Sequence, residues 1–276
     1  IRLVTDQIYE KEKNNQMMVS ILSQVVEFRN GESGLHVLHI QTITEMLLRQ
    51  LVQKENNRYA LSKEQIRMIT TASALHDIGK ISIPDEILNK PGRLTAEEFA
   101  VIKGHSMAGA NMLSELPLDQ KEEPLVKTAY EICRWHHERY DGGGYPDGLK
   151  GEEIPVSAQV VALADVYDAL TSERCYKDAY SHEKAIEMIL AGQCGAFNPL
   201  MLECLLDISS SLKKKMGYKS KERYEQTDLS DIASRFHDFE MDSSEKIVQQ
   251  LEFERMRYNF LAEGSRNIVF TYTISP

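Results

Sequence analysis

The chain of 276 residues is long enough for one large domain or two small ones, and its apolar share of 42% is ordinary for a globular protein. Its formal net charge of −10 argues against binding to nucleic-acid polymers, which requires a basic surface that displaces phosphate counterions. An anionic small molecule stays compatible with this charge wherever positive side chains are clustered.

The cysteines and the hydropathy pattern exclude two further classes of protein. Cys133, Cys175, Cys194 and Cys204 show no Cys-x-x-Cys spacing, which indicates reduced thiols without a chemical role. No apolar run approaches the ~18 to 20 residues that cross a bilayer, and no signal peptide precedes the first predicted helix. We therefore expect no membrane contact within this chain.

Residues 1–29 are predicted to form one long helix that begins at Ile1 rather than Met, as in a piece of a longer protein. This helix is expected to be a signalling stalk or a dimer seam, or else to pack on its own domain, and the sequence leaves these alternatives open. Its apolar side consists of Leu3, Ile8, Met17, Met18, Ile21, Leu22, Val25 and Val26.

A second helix is predicted after Asn30 and Gly31, beginning near Glu32. Glu32 and His36 are four residues apart and so share one helix face, which is how a helix presents two ligands to one cation. A solvated helix face is the alternative. His39 lies one turn further on.

The next predicted helix opens at a capping box formed by Ser62 and Gln65 and ends at His76 and Asp77. An imidazole beside a carboxylate offers nitrogen and oxygen to a cation of the zinc, iron or manganese class. Lys80 follows as a fixed positive charge suited to an anion that touches the metal. A hydrogen-bonded core pair is the alternative, because buried polar groups must be satisfied.

Three more histidines and a glycine-rich loop follow. His105 lies in a predicted helix, and His136 and His137 are adjacent at the end of another. Adjacent helical side chains point about 100° apart, so this pair can serve two neighbouring cations. The glycines of residues 142–144 allow close approach of a ligand, with Tyr145 as a stacking or hydrogen-bonding surface. A plain turn is the alternative.

Pro155 is predicted to start an apolar helix that contains Asp165. A carboxylate in such a helix costs several kcal/mol unless it is paired or bound to a cation, so we expect a partner. Asp168, one turn away, either supports the site or hydrogen-bonds locally. Arg174 and Lys177 add positive charge just beyond the helix, for anion recognition or for surface ion pairs.

In combination, these motifs resemble the HD-GYP family of bacterial phosphodiesterases, a branch of the HD superfamily of metal-dependent phosphohydrolases. The resemblance covers residues of about 25 to 208. It is carried by His76-Asp77-Ile78-Gly79-Lys80, His136-His137-Glu138, Asp141-Gly142-Gly143-Gly144-Tyr145-Pro146 and Asp165-Val166-Tyr167-Asp168-Ala169-Leu170.

The resemblance implies an all-α, HD-superfamily helical domain over residues 25–212, preceded by a linker or signalling helix over 1–24. The polar composition beyond Leu212 and a narrow apolar stripe predict a helical connector over 213–258. Alternating apolar residues near the terminus predict a strand. We expect 259–276 to be the start of a truncated further module, for which a PAS-like domain is one candidate.

The resemblance also implies the site. Two or three divalent cations are expected, iron first and manganese next, and Glu32 matches the extra glutamate of three-metal members. Two positions depart from the family pattern: Cys175 replaces a usual proline, and His39 a common arginine. The implied metal ligands are Glu32, His36, His76, Asp77, His105, His136, His137 and Asp165. The implied catalytic residues are His76, Asp77 and Lys80, and the implied substrate contacts are Lys80, Gly144, Tyr145, Arg174 and Lys177.

The implied activity is hydrolysis of cyclic di-GMP to linear pGpG, with GMP as a candidate further product. The alternatives are a phosphodiesterase for cyclic GMP-AMP, since few residues would read the base, and a metal-binding module that signals by docking to a partner. The resemblance further implies a cytoplasmic bacterial protein with sensor or receiver domains outside this chain. A homodimer and a cyclase-domain partner are also expected.

Overall fold

The computed structural model describes residues 2–29, 35–55, 57–172 and 179–217, with side chains described from residue 13 onward. Within these ranges the secondary structure is helical and contains no strand, which confirms the predicted all-α class. Several predictions fall outside the described residues: those for Glu32, Arg174, Cys175 and Lys177, most of the 213–258 connector, and the module and strand over 259–276.

Eleven α-helices and two short 3-10 helices make up the described part of the chain, and none of them is long and apolar enough to span a bilayer. The α-helices are α1 (Arg2–Arg29), α2 (Leu35–Leu51), α3 (Lys63–Ser73), α4 (Asp85–Leu88), α5 (Ala96–Lys103), α6 (His105–Ser114), α7 (Leu118–Lys121), α8 (Pro124–Trp135), α9 (Val156–Thr171), α10 (His182–Leu190) and α11 (Pro199–Gly217). The 3-10 helices are Ile78–Ser82 and Gly151–Glu153.

Helix α2 lies at the centre of the core and packs against α3, α9 and α11. Its inward residues recur every three to four positions, so they form one fully buried face: Val37, Ile40, Ile43, Leu47, Leu48 and Leu51. Each such side chain contributes roughly 1.5–3 kcal/mol when it leaves water. Because His36 precedes this face directly, the core fixes the position of its imidazole.

Local signals in the sequence set several helix ends as predicted. Ser62 Oγ accepts a hydrogen bond from Gln65 N (3.1 Å), and Gln65 Oε1 accepts one from Ser62 N (2.8 Å), so the capping box of α3 is complete. Pro155, predicted as the first residue of a helix, is instead the N-cap of α9, which begins one residue later at Val156. The predicted linker end at residue 24 lies inside α1, which continues without a break to Arg29.

Helix α1 packs on the domain through a face other than the apolar side that the sequence emphasised. Val19, Ser23, Val26 and Glu27 are buried. Of the predicted apolar side, Val26 alone among the described side chains is buried. Met17, Met18, Ile21, Leu22 and Val25 are exposed, together with Phe28. The exposed apolar side remains compatible with the predicted dimer seam or stalk.

The 3-10 helix Ile78–Ser82 lies against the backbone of α6 at a distance that only glycine allows. A Cβ atom added to Gly79 would lie 1.9 Å from the carbonyl oxygen of His105 and 2.4 Å from the amide nitrogen of Gly109. Real Cβ contacts are never this short, so the absence of a side chain at Gly79 brings Asp77 and His105 together.

The substitution Gly79→Ala should therefore separate the two elements. We expect a destabilisation of about 1–3 kcal/mol, the usual cost of forcing extra carbon into packed space, together with weaker cation binding. Thermal unfolding and a Mn²⁺ titration measure the two effects. Ile81→Ala is the control, because Ile81 lies in the same 3-10 helix but is exposed. Equal stability of the two variants would contradict the packing argument.

Candidate metal centre

Three buried histidines have one ring nitrogen fixed by a backbone carbonyl. Each histidine lies at a helix end or in the turns that follow one, and its Nδ1 lies close to a carbonyl oxygen three or four residues earlier in the chain. Donation from Nδ1–H leaves Nε2 with its lone pair, which is the form that binds a cation. The bonds run from His76 to Ser73 (3.0 Å), from His105 to Ile102 (2.7 Å) and from His136 to Ile132 (2.9 Å).

The carboxylate of Asp77 lies between these imidazoles. Its Oδ1 is 3.1 Å from His105 Nε2 and 3.9 Å from His136 Nε2. Its Oδ2 is 3.2 Å from His76 Nε2 and 2.7 Å from Lys80 Nζ. Since each oxygen faces a different imidazole group, Asp77 has the geometry of a carboxylate that bridges two cations.

Two groups of potential ligands therefore adjoin Asp77. In the first, His36 Nε2 is 3.3 Å from His76 Nε2 and 3.9 Å from Asp165 Oδ1. In the second, the ligand atoms of His105, His136 and His137 lie within 4.8 Å of one another. The structure thus brings together seven of the eight predicted ligands, His36, His76, Asp77, His105, His136, His137 and Asp165, while Glu32 lies outside the described residues.

Asp168 holds the histidines of α2 in place. Its Oδ2 accepts a hydrogen bond from His36 Nδ1 (2.6 Å), and its Oδ1 accepts one from His39 Nδ1 (2.6 Å) and one from Ser172 Oγ (2.9 Å). A carboxylate behind a ligating imidazole fixes the ring orientation and raises its basicity. Asp168 therefore supports the site by orienting His36. His39, whose role the sequence left open, binds the other oxygen of the same carboxylate.

Burial and charge set the ionisation of the centre. Burial, with the neighbouring imidazoles, holds the pKa values of His136 and His137 well below their ordinary range, so both rings are neutral at pH 7. Burial would raise the pKa of Asp77, but Lys80 and His76 hold it well below the usual value. Burial likewise opposes the charged form of His36, yet the Asp168 hydrogen bond raises its pKa to about 10.

The glycine-rich loop covers the second group of ligands. The Tyr145 ring stacks on His137 with 4.8 Å between centroids. The buried Glu138 carboxylate accepts hydrogen bonds from the amides of residues 147–148 (2.8 and 3.0 Å), and a Cβ at Gly144 would lie 2.4 Å from Glu138 Cα. The loop is therefore fixed over the site. Glu138 belongs to one of the motifs that carry the resemblance, but no role was predicted for it from the sequence.

Comparisons with known proteins agree with this geometry. A family model described as HD domain matches residues 16–197. The chain belongs to the HD domain family. A probable cyclic di-GMP phosphodiesterase of Vibrio cholerae is 40% identical over 203 residues, which cover 71% of this chain and 45% of that protein. A 3′3′-cGAMP-specific phosphodiesterase 2 of the same organism is 37% identical over 195 residues, covering 71% and 35%.

The chain thus spans less than half the length of these two curated relatives. A solved structure of a cyclic GMP-AMP-specific phosphodiesterase of V. cholerae has a TM-score of 0.51 at 17% identity, and the alignment covers 75% of this chain and 51% of that one. At this identity the likeness shows the HD fold alone. These matches confirm the resemblance to HD-GYP phosphodiesterases that the motifs predicted.

The HD domain family implies bound divalent metal, and the donor set of this chain fits it. Imidazole nitrogens and carboxylate oxygens suit first-row divalent cations. The residues His36, His76 and Asp165 would hold one cation, and His105, His136 and His137 its neighbour. Asp77 would bind both.

Asp168→Asn removes the carboxylate that orients His36 while preserving the size of the side chain. We expect cation affinity to fall about 10- to 100-fold, as it does when a supporting carboxylate is lost from a metal site. Competition with a fluorescent chelator measures the affinity. Glu45→Gln is the control, because Glu45 pairs with Arg49 at the surface of α2. An unchanged affinity in Asp168→Asn would show that His36 needs no support.

Cation binding should release protons at pH 7. With a pKa near 10, His36 is protonated in the metal-free protein, so a cation must displace its proton, whereas His136 and His137 have none to lose. Apparent affinity should rise as pH rises towards 10, about tenfold per unit for each proton displaced. Calorimetry in two buffers of different ionisation enthalpy measures the release. No proton release at pH 7 would refute the charged state of His36.

Proposed function

We propose that this HD domain hydrolyses cyclic di-GMP to linear pGpG, with GMP as a further product. The observation that carries the proposal is the pair of imidazole groups on opposite oxygens of Asp77, with Lys80 on one of them. Two divalent cations are proposed, iron first and manganese next, and Glu32 remains a predicted ligand for a third. The name of the 40% identical relative, a probable cyclic di-GMP phosphodiesterase, supports the choice of substrate.

Bound cations would supply an activated water and polarisation of the phosphoryl oxygens, as in other two-metal sites about 3.5–4 Å apart. The chain itself supplies the positions. Asp77 presents one oxygen to each ligand group and so sets the separation of the cation sites. Its depressed pKa keeps it an anion that can bridge them.

Lys80 supplies a fixed positive charge beside the reacting phosphate. Its Nζ lies 2.7 Å from Asp77 Oδ2, and its side chain is 15% exposed, so it faces the centre rather than bulk solvent. Preorganised charge in such a site stabilises the negative charge that develops in the transition state. The reaction needs no side-chain nucleophile, because water is the attacking group.

Tyr145 and Gly144 form the wall that we assign to the substrate. Stacking on His137 holds the Tyr145 ring beside the second ligand group, and burial raises the pKa of its phenol, which therefore stays a hydrogen-bond donor. Arg174 and Lys177 remain predicted contacts to phosphate or guanine.

Cyclic GMP-AMP is the second candidate substrate, favoured by the 37% identical relative that is named for it. The metal chemistry does not discriminate between the rings, because both carry the same phosphodiester bonds. The predicted docking role is less favoured, since every predicted ligand within the described residues reaches the centre. Sensor domains, a homodimer and a cyclase partner remain predictions.

Turnover of cyclic di-GMP and of 3′3′-cGAMP by the Mn²⁺- or Fe²⁺-loaded protein tests the proposal. We expect hydrolysis of cyclic di-GMP with the higher kcat/KM, and its loss in His76→Ala. Faster cleavage of 3′3′-cGAMP would select the second candidate. A loaded protein that cleaves neither ring would overturn the proposed function.

Lys80→Ala should lower kcat by about 10²–10³-fold, the range seen when one preorganised group that stabilises the transition state is removed. Steady-state kinetics on metal-saturated protein measure the effect, so that any change in affinity for the cation does not enter. Lys90→Ala is the matched control, because Lys90 forms an ion pair with Glu98 away from the centre. A kcat equal to that of the control would exclude Lys80 from the reaction.

A further inference from the structure

Glu27 occupies a position on α1 that a carboxylate rarely takes. Its neighbours on the inward face of the helix are Val19, Ser23 and Val26, and Glu27 itself is only 2% exposed. A buried carboxylate costs several kcal/mol unless a positive charge or hydrogen bonds compensate it. The groups that the Glu27 carboxylate faces therefore indicate what offsets the cost of its burial.

Arg29 fixes the end of α1 against the segment that follows Asp77. Its guanidinium donates hydrogen bonds to the carbonyl oxygens of Lys80 (3.2 Å), Ile81 (2.6 Å) and Ile83 (2.6 Å). It also pairs with Asp85 Oδ1 at 2.9 Å. Because Glu27 precedes Arg29 by two residues on the same helix, its position relative to the metal centre is set by these bonds.

Glu27 reaches the first group of ligands. One carboxylate oxygen of Glu27, a ring nitrogen of His36 and an oxygen of Asp77 all lie within 4.8 Å of one another, and all three residues are buried. Two ligands bound to one cation at about 2.0–2.2 Å lie no more than about 4.4 Å apart, so small adjustments bring this trio around a single ion. The negative charge of Glu27 also acts on His36, where it favours the cationic form.

We propose that Glu27 is a ligand of the cation on the His36 side of Asp77. His36 has a single nitrogen to offer, since Nδ1 donates to Asp168. Its cation is therefore the same one that His76 and Asp165 adjoin, and Glu27 adds a further oxygen to that ion. Iron and manganese accept mixed sets of imidazole and carboxylate ligands of this kind. The proposal rests on the metal centre of the proposed function and is independent of the substrate.

Glu27→Gln tests the assignment with Mn²⁺ alone. The substitution keeps the shape of the side chain and removes its charge. We expect one of the bound Mn²⁺ ions to bind at least about tenfold more weakly. The loss of a residue that only supports a metal ligand already lowers the affinity by this factor. Glu45→Gln, which removes a surface carboxylate from α2, should bind like the unaltered protein. Unchanged Mn²⁺ affinity in Glu27→Gln would overturn the proposal.

Crystals of the unaltered protein loaded with Mn²⁺ provide a second test that does not depend on a variant. We expect an anomalous peak about 2.0–2.2 Å from a Glu27 oxygen, the distance of a bound carboxylate. Anomalous peaks that all lie beyond hydrogen-bond distance from Glu27 would show that it acts only through His36 or Asp77, and the ligand assignment would be wrong.

Neither measurement uses a substrate. A failed cyclic di-GMP assay therefore leaves the Glu27 result intact. Conversely, a Glu27 carboxylate away from every Mn²⁺ ion would refute this inference and leave the proposed reaction standing.

Discussion

The centre depends on one buried carboxylate whose two oxygens face different groups of imidazoles. Asp77 is 7% exposed, yet Lys80 and the surrounding rings keep it ionised. A charge in this position is unfavourable without compensation. Hydrogen bonds orient the imidazoles around this carboxylate. Backbone carbonyls accept from His76 and His105, and Asp168 accepts from His36, so that the other ring nitrogens face Asp77.

The fold meets this requirement by joining distant segments at short range. Gly79 lets the 3-10 helix touch the backbone of α6, which delivers His105 to Asp77. Helix α9 lies against α2, which delivers Asp168 to His36. The inward side chains of α2 are fully buried, and close packing of this kind holds the ligands in place before any cation binds. Such preorganisation favours the binding of divalent cations over an arrangement that each ion would have to assemble.

The helical class and the candidate ligands were predicted from the family resemblance, because the motifs that carry it are each formed by residues close in the chain. A capping box such as Ser62–Gln65 is formed by residues close in the chain, and so is a double histidine. The partners of Asp168 and Glu27 were harder to predict, since Asp168 meets His36 across 132 positions and nothing near Glu27 in the chain reveals the metal centre. A helix with apolar residues on two sides, like α1, does not specify which side packs inward.

Helix α1 is 28 residues long, about 42 Å at 1.5 Å per residue. Its last turns carry both Glu27 and Arg29, the first beside the ligands and the second bonded to the carbonyl group of Lys80. Because both side chains belong to one unbroken helix, a shift of its last two turns would displace Glu27 and Arg29 together. The seating of α1 on the domain and the arrangement of the ligands are therefore linked through these two residues.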